Sequence, residues 1–219
     1  MPHQIYKNSK GEKLPSVTTV LSVISKPQLF YWGVKLAKEG ICPIEYTKET
    51  AKIGSLVHAI AEYYTSKTPI EWDKYTKEEI KKACTISKRF FEFVSIQDEF
   101  EPILSEGAFS SDKFGYGGTL DLLCRLNGKL SLVDFKSCNE IRDTAIAQVS
   151  AYKRLAEEQG YKIEQVIILR FGREESEGYE YREISKKELK YGLKMFDCAL
   201  KLYKSKKEFE RVLKESEVK

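Results

Sequence analysis

The chain has 219 residues, 42% of them hydrophobic and 32% charged, with a formal net charge of +4. That length suits one core with a helical lobe built onto it, and no apolar run approaches the ~20 residues that span a bilayer. The mildly basic balance permits a polyanionic partner without requiring one.

The first residues, Met1-Pro2-His3-Gln4-Ile5-Tyr6-Lys7, show neither a signal-peptide core nor an Arg-rich transit pattern, and a cytoplasmic protein is expected. Asn8-Ser9-Lys10-Gly11 marks a turn. Thr18 or Thr19 is expected to cap a helix running toward Lys38 and interrupted at Pro27, with Gly40 and Pro43 ending that region. A second helix is expected from about Lys48 to Tyr64, with Ile53, Leu56, Val57, Ile60 and Ala61 as its apolar stripe. A third begins at the capping-box pattern Thr76-Lys77-Glu78-Glu79 and runs to about Phe93.

The periodicity then changes. Glu101 to Ser110, Gly117 to Arg125 and Lys129 to Lys136 read as strands, the last two joined by an Asn127-Gly128 hairpin turn. A helix from about Arg142 to Gln159 ends at Gly160. Ile163 to Phe171 and Tyr179 to Ile184 read as strands, and Ser185 caps a long final helix with Leu189, Leu193, Phe196, Leu200 and Tyr203 on one face. A hairpin followed by a βαβ crossover implies an α/β fold, a mixed central sheet flanked by helices with an N-terminal helical region.

The chemistry lies around Gly118-Thr119-Leu120-Asp121 and Val133-Asp134-Phe135-Lys136. Asp134 and Lys136 are two apart on a strand and leave it on the same face. If Leu126 pairs with Lys129 across a two-residue turn, Asp121 falls opposite Asp134. Two carboxylates and an ammonium would then share one patch. Such a set can hold Mg²⁺, activate a water and neutralise charge at a phosphodiester. An exposed charged strand is the bland alternative, but Leu130, Leu132, Val133 and Phe135 mark this strand as buried, where charge is costly.

Four residues elsewhere are candidates for the same cleft. His58 lies on a predicted helix with Glu62 four residues on, and Glu106 sits on the strand before Asp121. Gln148 and Tyr152 are one turn apart on the helix after Lys136. Each has an ordinary structural reading when taken alone.

Together these motifs resemble the RecB-type branch of the PD-(D/E)xK nuclease superfamily. Gly54 and His58 match its Gly-x-x-x-His, and Gly118 and Asp121 its Gly-x-x-Asp. Asp134 and Lys136 match its Asp-x-Lys, and Gln148 and Tyr152 its Gln-x-x-x-Tyr. The resemblance implies a restriction-endonuclease-like core at 99–219, completed by the helical region 1–98 that supplies the histidine. It implies a metal site of His58, Asp121, Asp134 and the Phe135 carbonyl, loaded with Mg²⁺ or Mn²⁺, and Lys136 as the catalytic lysine. Relatives with an iron–sulfur cluster carry three cysteines near the end. Here Cys42, Cys84, Cys124 and Cys138 precede Gln148 and only Cys198 follows it, so no cluster is expected.

Leu14-Pro15-Ser16-Val17-Thr18-Thr19-Val20-Leu21, with Trp32 downstream, is similar to the start of cluster-free single-strand DNA exonucleases of the mitochondrial genome maintenance type. That implies single-stranded DNA as partner, and the order of elements lets the N-terminal helices fold over the cleft while the helix after Ser185 closes its other side. Phe30, Tyr31 and Trp32, then Phe114 and Tyr116, are candidate stacking groups, with Lys113 and Arg142 as phosphate contacts. The alternatives are a structure-specific endonuclease of the same fold and a binding module without catalysis.

Overall fold

The structure is a computed structural model describing residues 4–138, 140–172 and 178–217. Two short strands, β1 (Tyr6–Lys7) and β2 (Lys13–Leu14), form a ribbon around the Asn8–Gly11 turn. The helices α1 (Val17–Leu21), α2 (Pro27–Lys38), α3 (Pro43–Ser66) and α4 (Lys77–Ser95) follow. Then come strands β3 (Phe100–Ser111), β4 (Tyr116–Leu126) and β5 (Lys129–Lys136), helix α5 (Asp143–Glu158), strands β6 (Gln165–Phe171) and β7 (Tyr179–Glu183), and helix α6 (Lys186–Glu217).

The local signals explain most of these boundaries. Thr76 Oγ1 accepts the Glu79 N–H while the Glu79 carboxylate accepts the Thr76 N–H, closing the expected capping box of α4. Ser185 and Glu188 do the same for α6. Two boundaries differ from expectation. Ser16, not Thr18 or Thr19, caps α1, its hydroxyl accepting the Thr19 N–H at 3.0 Å. Pro43 opens α3 instead of ending the region before it, because a first-turn residue needs no amide donor.

The five main strands lie in the order β3-β4-β5-β6-β7, antiparallel except for β5 against β6. The mixed sheet flanked by helices is thus the architecture the sequence implies. Asn127 (φ 49°) and Gly128 (φ 81°) form the tight turn, and Leu126 pairs with Lys129 as the two-residue loop demands. One sheet face buries Leu120, Leu123 and Leu132 under α1, α5 and α6. The other buries Leu122, Val133 and Phe135 under α3 and α4. Alternation along β5 therefore sends Asp134 and Lys136 to the α5 side, with Leu132.

Candidate metal centre

Backbone pairing between β4 and β5 runs from Leu126↔Lys129 to Leu122↔Val133 and stops there. One position further, where the register would set Asp121 against Asp134, a side chain replaces the ladder. Asp121 Oδ2 accepts the Phe135 N–H at 2.6 Å. The two strands part at the point where their carboxylates meet.

Two more elements reach this opening. His58 on α3 places Nδ1 3.4 Å from Asp121 Oδ1, and its ring meets Phe135 edge-on at 5.7 Å. Glu106 on β3 has φ 50°, a left-handed backbone in the middle of a strand, between Ser105↔Leu122 and Gly107↔Leu120. A non-glycine residue held this way costs about 1–3 kcal/mol, which the surrounding sheet must offset. Ligand atoms of His58, Glu106 and Asp121 all lie within 4.8 Å of one another, the one such group among the described residues.

On the other side of Asp121, Asp134 Oδ2 stands 2.5 Å from Lys136 Nζ in an ion pair, with the Asp134 side chain 1% exposed. That oxygen has no well-directed hydrogen bond. Oδ1 has only a long contact, 3.5 Å from Gln148 Nε2. A buried carboxylate is ordinarily saturated with donors. The Lys136 ammonium already faces Oδ2, and the imidazole and two carboxylates gathered at His58, Glu106 and Asp121 offer nitrogen and oxygen ligands to a cation.

The electrostatics follow from crowding. Burial, reinforced by the Asp121 charge, pushes Glu106 up to about 8. Burial also raises Asp134, with Asp121 adding to it against the opposing pull of Lys136. Asp121 goes the other way. Burial works against its charge, but His58, Lys136 and the Phe135 N–H outweigh it and hold the carboxyl low. His58 and Lys136 are each disfavoured as cations by burial, and in each the facing carboxylates prevail and raise the pKa.

A stability prediction follows from Glu106. The folded, metal-free protein holds its proton more tightly than the unfolded chain, whose ordinary value is 4.5. That contribution is full below pH 4.5 and is lost as pH rises toward about 8. Denaturant midpoints in chelator, taken from pH 5 to pH 8.5, should fall more steeply for the parent than for Glu106→Gln. Parallel curves would show that Glu106 is ordinarily solvated.

Gln148 and Tyr152 brace this site from α5. Gln148 Nε2 donates to Tyr152 Oη at 3.0 Å and faces Asp134. The Tyr152 ring lies so close over β4 that a Cβ on Gly118 would sit 2.6 Å from Cε1. Next to it, Tyr6 packs over Gly117 and its hydroxyl is 2.7 Å from Thr119 Oγ1. Tyr6, Ser16, Thr18, Thr119 and Glu62, with His58, Glu106, Asp121 and Tyr152, are among the residues lining a cleft of about 480 Å³. Sequence reasoning passed over Tyr6, Ser16, Thr18 and Thr119. The available signal was the glycine pair 117–118, which two aromatic rings use for close approach.

The proposed strand contacts scatter. Tyr116 is fully buried, its hydroxyl donating to the Ala151 carbonyl and accepting from Arg154, so it is a core residue with no face for a base. Phe114 is half-buried, 4.2 Å from the Arg154 guanidinium carbon and with Lys113 Nζ over its ring at 5.1 Å. Arg142 precedes α5 and pairs with Glu140. Trp32 is half-buried and packs on Tyr46. Phe30 and Tyr31 are exposed. The final helix packs on α1 and α5 and none of its described residues lines the cleft, so it does not close the cleft's other side. The wall there is the N-terminal segment, held by the Gly117 N–H donating to the Pro15 carbonyl at 2.9 Å.

No protein-family profile and no curated protein matches the chain. Among solved structures, it is similar over 67% of its length to the crystal structure of a candidate exonuclease from Eubacterium rectale, at 14% sequence identity and a TM-score of 0.46. The chain covers 64% of that protein's length. No described helix is long and apolar enough to cross a membrane.

Proposed function

We propose that the chain is a metal-dependent deoxyribonuclease of the PD-(D/E)xK kind, an exonuclease that hydrolyses phosphodiester bonds of single-stranded DNA from a free end. One observation carries this reading. His58, Glu106 and Asp121 gather their ligand atoms within 4.8 Å, beside a buried Asp134 carboxylate that pairs with the Lys136 ammonium.

His58, Asp121, Asp134 and the Phe135 carbonyl would hold the ion, with Glu106 as a further ligand from β3. When bound, Mg²⁺ or Mn²⁺ supplies an acidic water and neutralises charge on the phosphate. Lys136 contributes as a cation. In the metal-free protein Asp134 and Asp121 favour its charged form, and the ammonium can donate hydrogen bonds to the attacking water or a phosphate oxygen. Gln148 and Tyr152 are positioning residues, acting through Asp134.

His58→Ala is expected to weaken Mn²⁺ binding roughly tenfold or more, as loss of a metal-site group commonly does. Calorimetric titration of Mn²⁺ into both proteins reads this directly, and superimposable isotherms would make His58 structural. For substrate and polarity, end-labelled linear single-stranded DNA should be degraded progressively with Mg²⁺, while a covalently closed single-stranded circle resists. Rapid cutting of the circle would favour an endonuclease. Preference for RNA or duplex would overturn the substrate class.

A further inference from the structure

Helix α2 is apolar on both of its sides. Trp32, Gly33 and Leu36 lie on one side and pack toward α3, with Trp32 on Tyr46 and Gly33 against Pro43. On the other, the positions i, i+1, i+4, i+5 and i+8 from Phe30 form one stripe of Phe30, Tyr31, Val34, Lys35 and Lys38. All five are exposed, Phe30 by 71% and Tyr31 by 72%. The two rings stand edge to face, 5.7 Å apart. Ordinary surface helices turn a polar face to water, so a second apolar face asks for a partner.

The charges say which partner. From Lys26 to Lys38 the charged residues are Lys26, Lys35 and Lys38, with no carboxylate. Position in the chain agrees. Residues 22–26 alone separate α2 from α1, whose Thr18, with the capping Ser16, lines the cleft. The next helix, α3, supplies His58 and Glu62 to the same cleft. We infer that Phe30 and Tyr31 form a stacking platform for unpaired bases, with Lys35 and Lys38 on the phosphates, along the path of a strand to the metal centre. This rests on the nuclease reading and deepens it, because only unpaired bases expose the π-faces that such rings take. A duplex offers this stripe its phosphates alone.

The test uses the full chain carrying Asp134→Asn, in chelator, so that bound DNA is not cut. Fluorescence anisotropy measures affinity for a labelled single strand and for a duplex, and quenching of 2-aminopurine in the strand reports stacking. Adding Phe30→Ala and Tyr31→Ala should weaken single-strand binding at least about tenfold, since each lost stacked base is worth roughly 5- to 150-fold. Duplex binding should change little and the quenching should disappear. Phe30→Leu with Tyr31→Leu keeps the stripe apolar and should not restore affinity, whereas Trp at both positions should. Unchanged single-strand affinity, equal loss on duplex, or recovery with Leu would overturn the platform while leaving the nuclease reading standing. So would a stripe-dependent shift to a dimer or to phospholipid vesicles in place of DNA binding. A parent that binds neither DNA nor RNA would sink both.

Discussion

Asp134→Asn is expected to lower cleavage on the order of 10²–10³-fold while the protein stays folded. Asn keeps the shape of the side chain and its proximity to Gln148 but cannot carry the charge that a cation needs. The stability terms oppose each other. Removing the Asp134 charge relieves its repulsion with Asp121 and its own burial cost, the two influences that raise its pKa. It also leaves Lys136, now 2.5 Å from Asp134 Oδ2, without that partner, though Asp121 still acts on the ammonium. Near-cancellation should hold the melting temperature within a few degrees, where ~1 kcal/mol corresponds to about 2–4 °C in a chain of this size. Full activity in the variant would remove Asp134 from the chemistry. Loss of both fold and activity would make the pair a structural one.

Gly118→Ala is expected to disrupt both stability and activity. The added carbon would sit 2.6 Å from Tyr152 Cε1, 3.0 Å from its Cδ1 and 3.0 Å from Val17 Cγ2. Tyr152 is only 5% exposed and Val17 is fully buried, so neither can swing into solvent. Overpacking of this kind costs about 1–3 kcal/mol. Displacing Tyr152 also moves Gln148 and, through it, the Asp134 carboxylate, so cleavage should fall at least about tenfold as well. A second change separates the effects. Tyr152→Leu in the Gly118→Ala background should recover much of the stability by vacating the space, and should not recover activity. Recovery of both would mean that Tyr152 only fills volume.

How much of this was legible in the sequence depends on how local each signal is. Asn127-Gly128 fixes a turn type, the turn type fixes the register, and the register brings Asp121 to Asp134. Every step is a short-range rule. The capping boxes at Thr76 and Ser185 are equally local. Glu106 was legible only as one more strand carboxylate, because nothing in Ser105-Glu106-Gly107 announces a left-handed backbone at the middle residue. That conformation is imposed by the sheet around it. Tyr6 was invisible for a related reason. It acts from a two-residue strand, and its place over Gly117 is a contact across more than a hundred residues. Tyr116 misled in the opposite sense. The sequence offers it as a stacking group, yet it begins β4, and the Ala151 carbonyl and Arg154 satisfy its hydroxyl inside the core.

The most direct test of the central claim is metal-dependent cleavage by the unaltered chain, with the designated carboxylates as the control. A labelled single strand is incubated with the parent, with Asp121→Asn and with Lys136→Ala, each with Mg²⁺ or Mn²⁺ and each with chelator. The expected result is cleavage by the parent only when metal is present, and at least a hundredfold loss in both variants while each stays folded. Cleavage by the parent in chelator, or undiminished cleavage by either variant, would contradict a metal centre built on Asp121, Asp134 and Lys136.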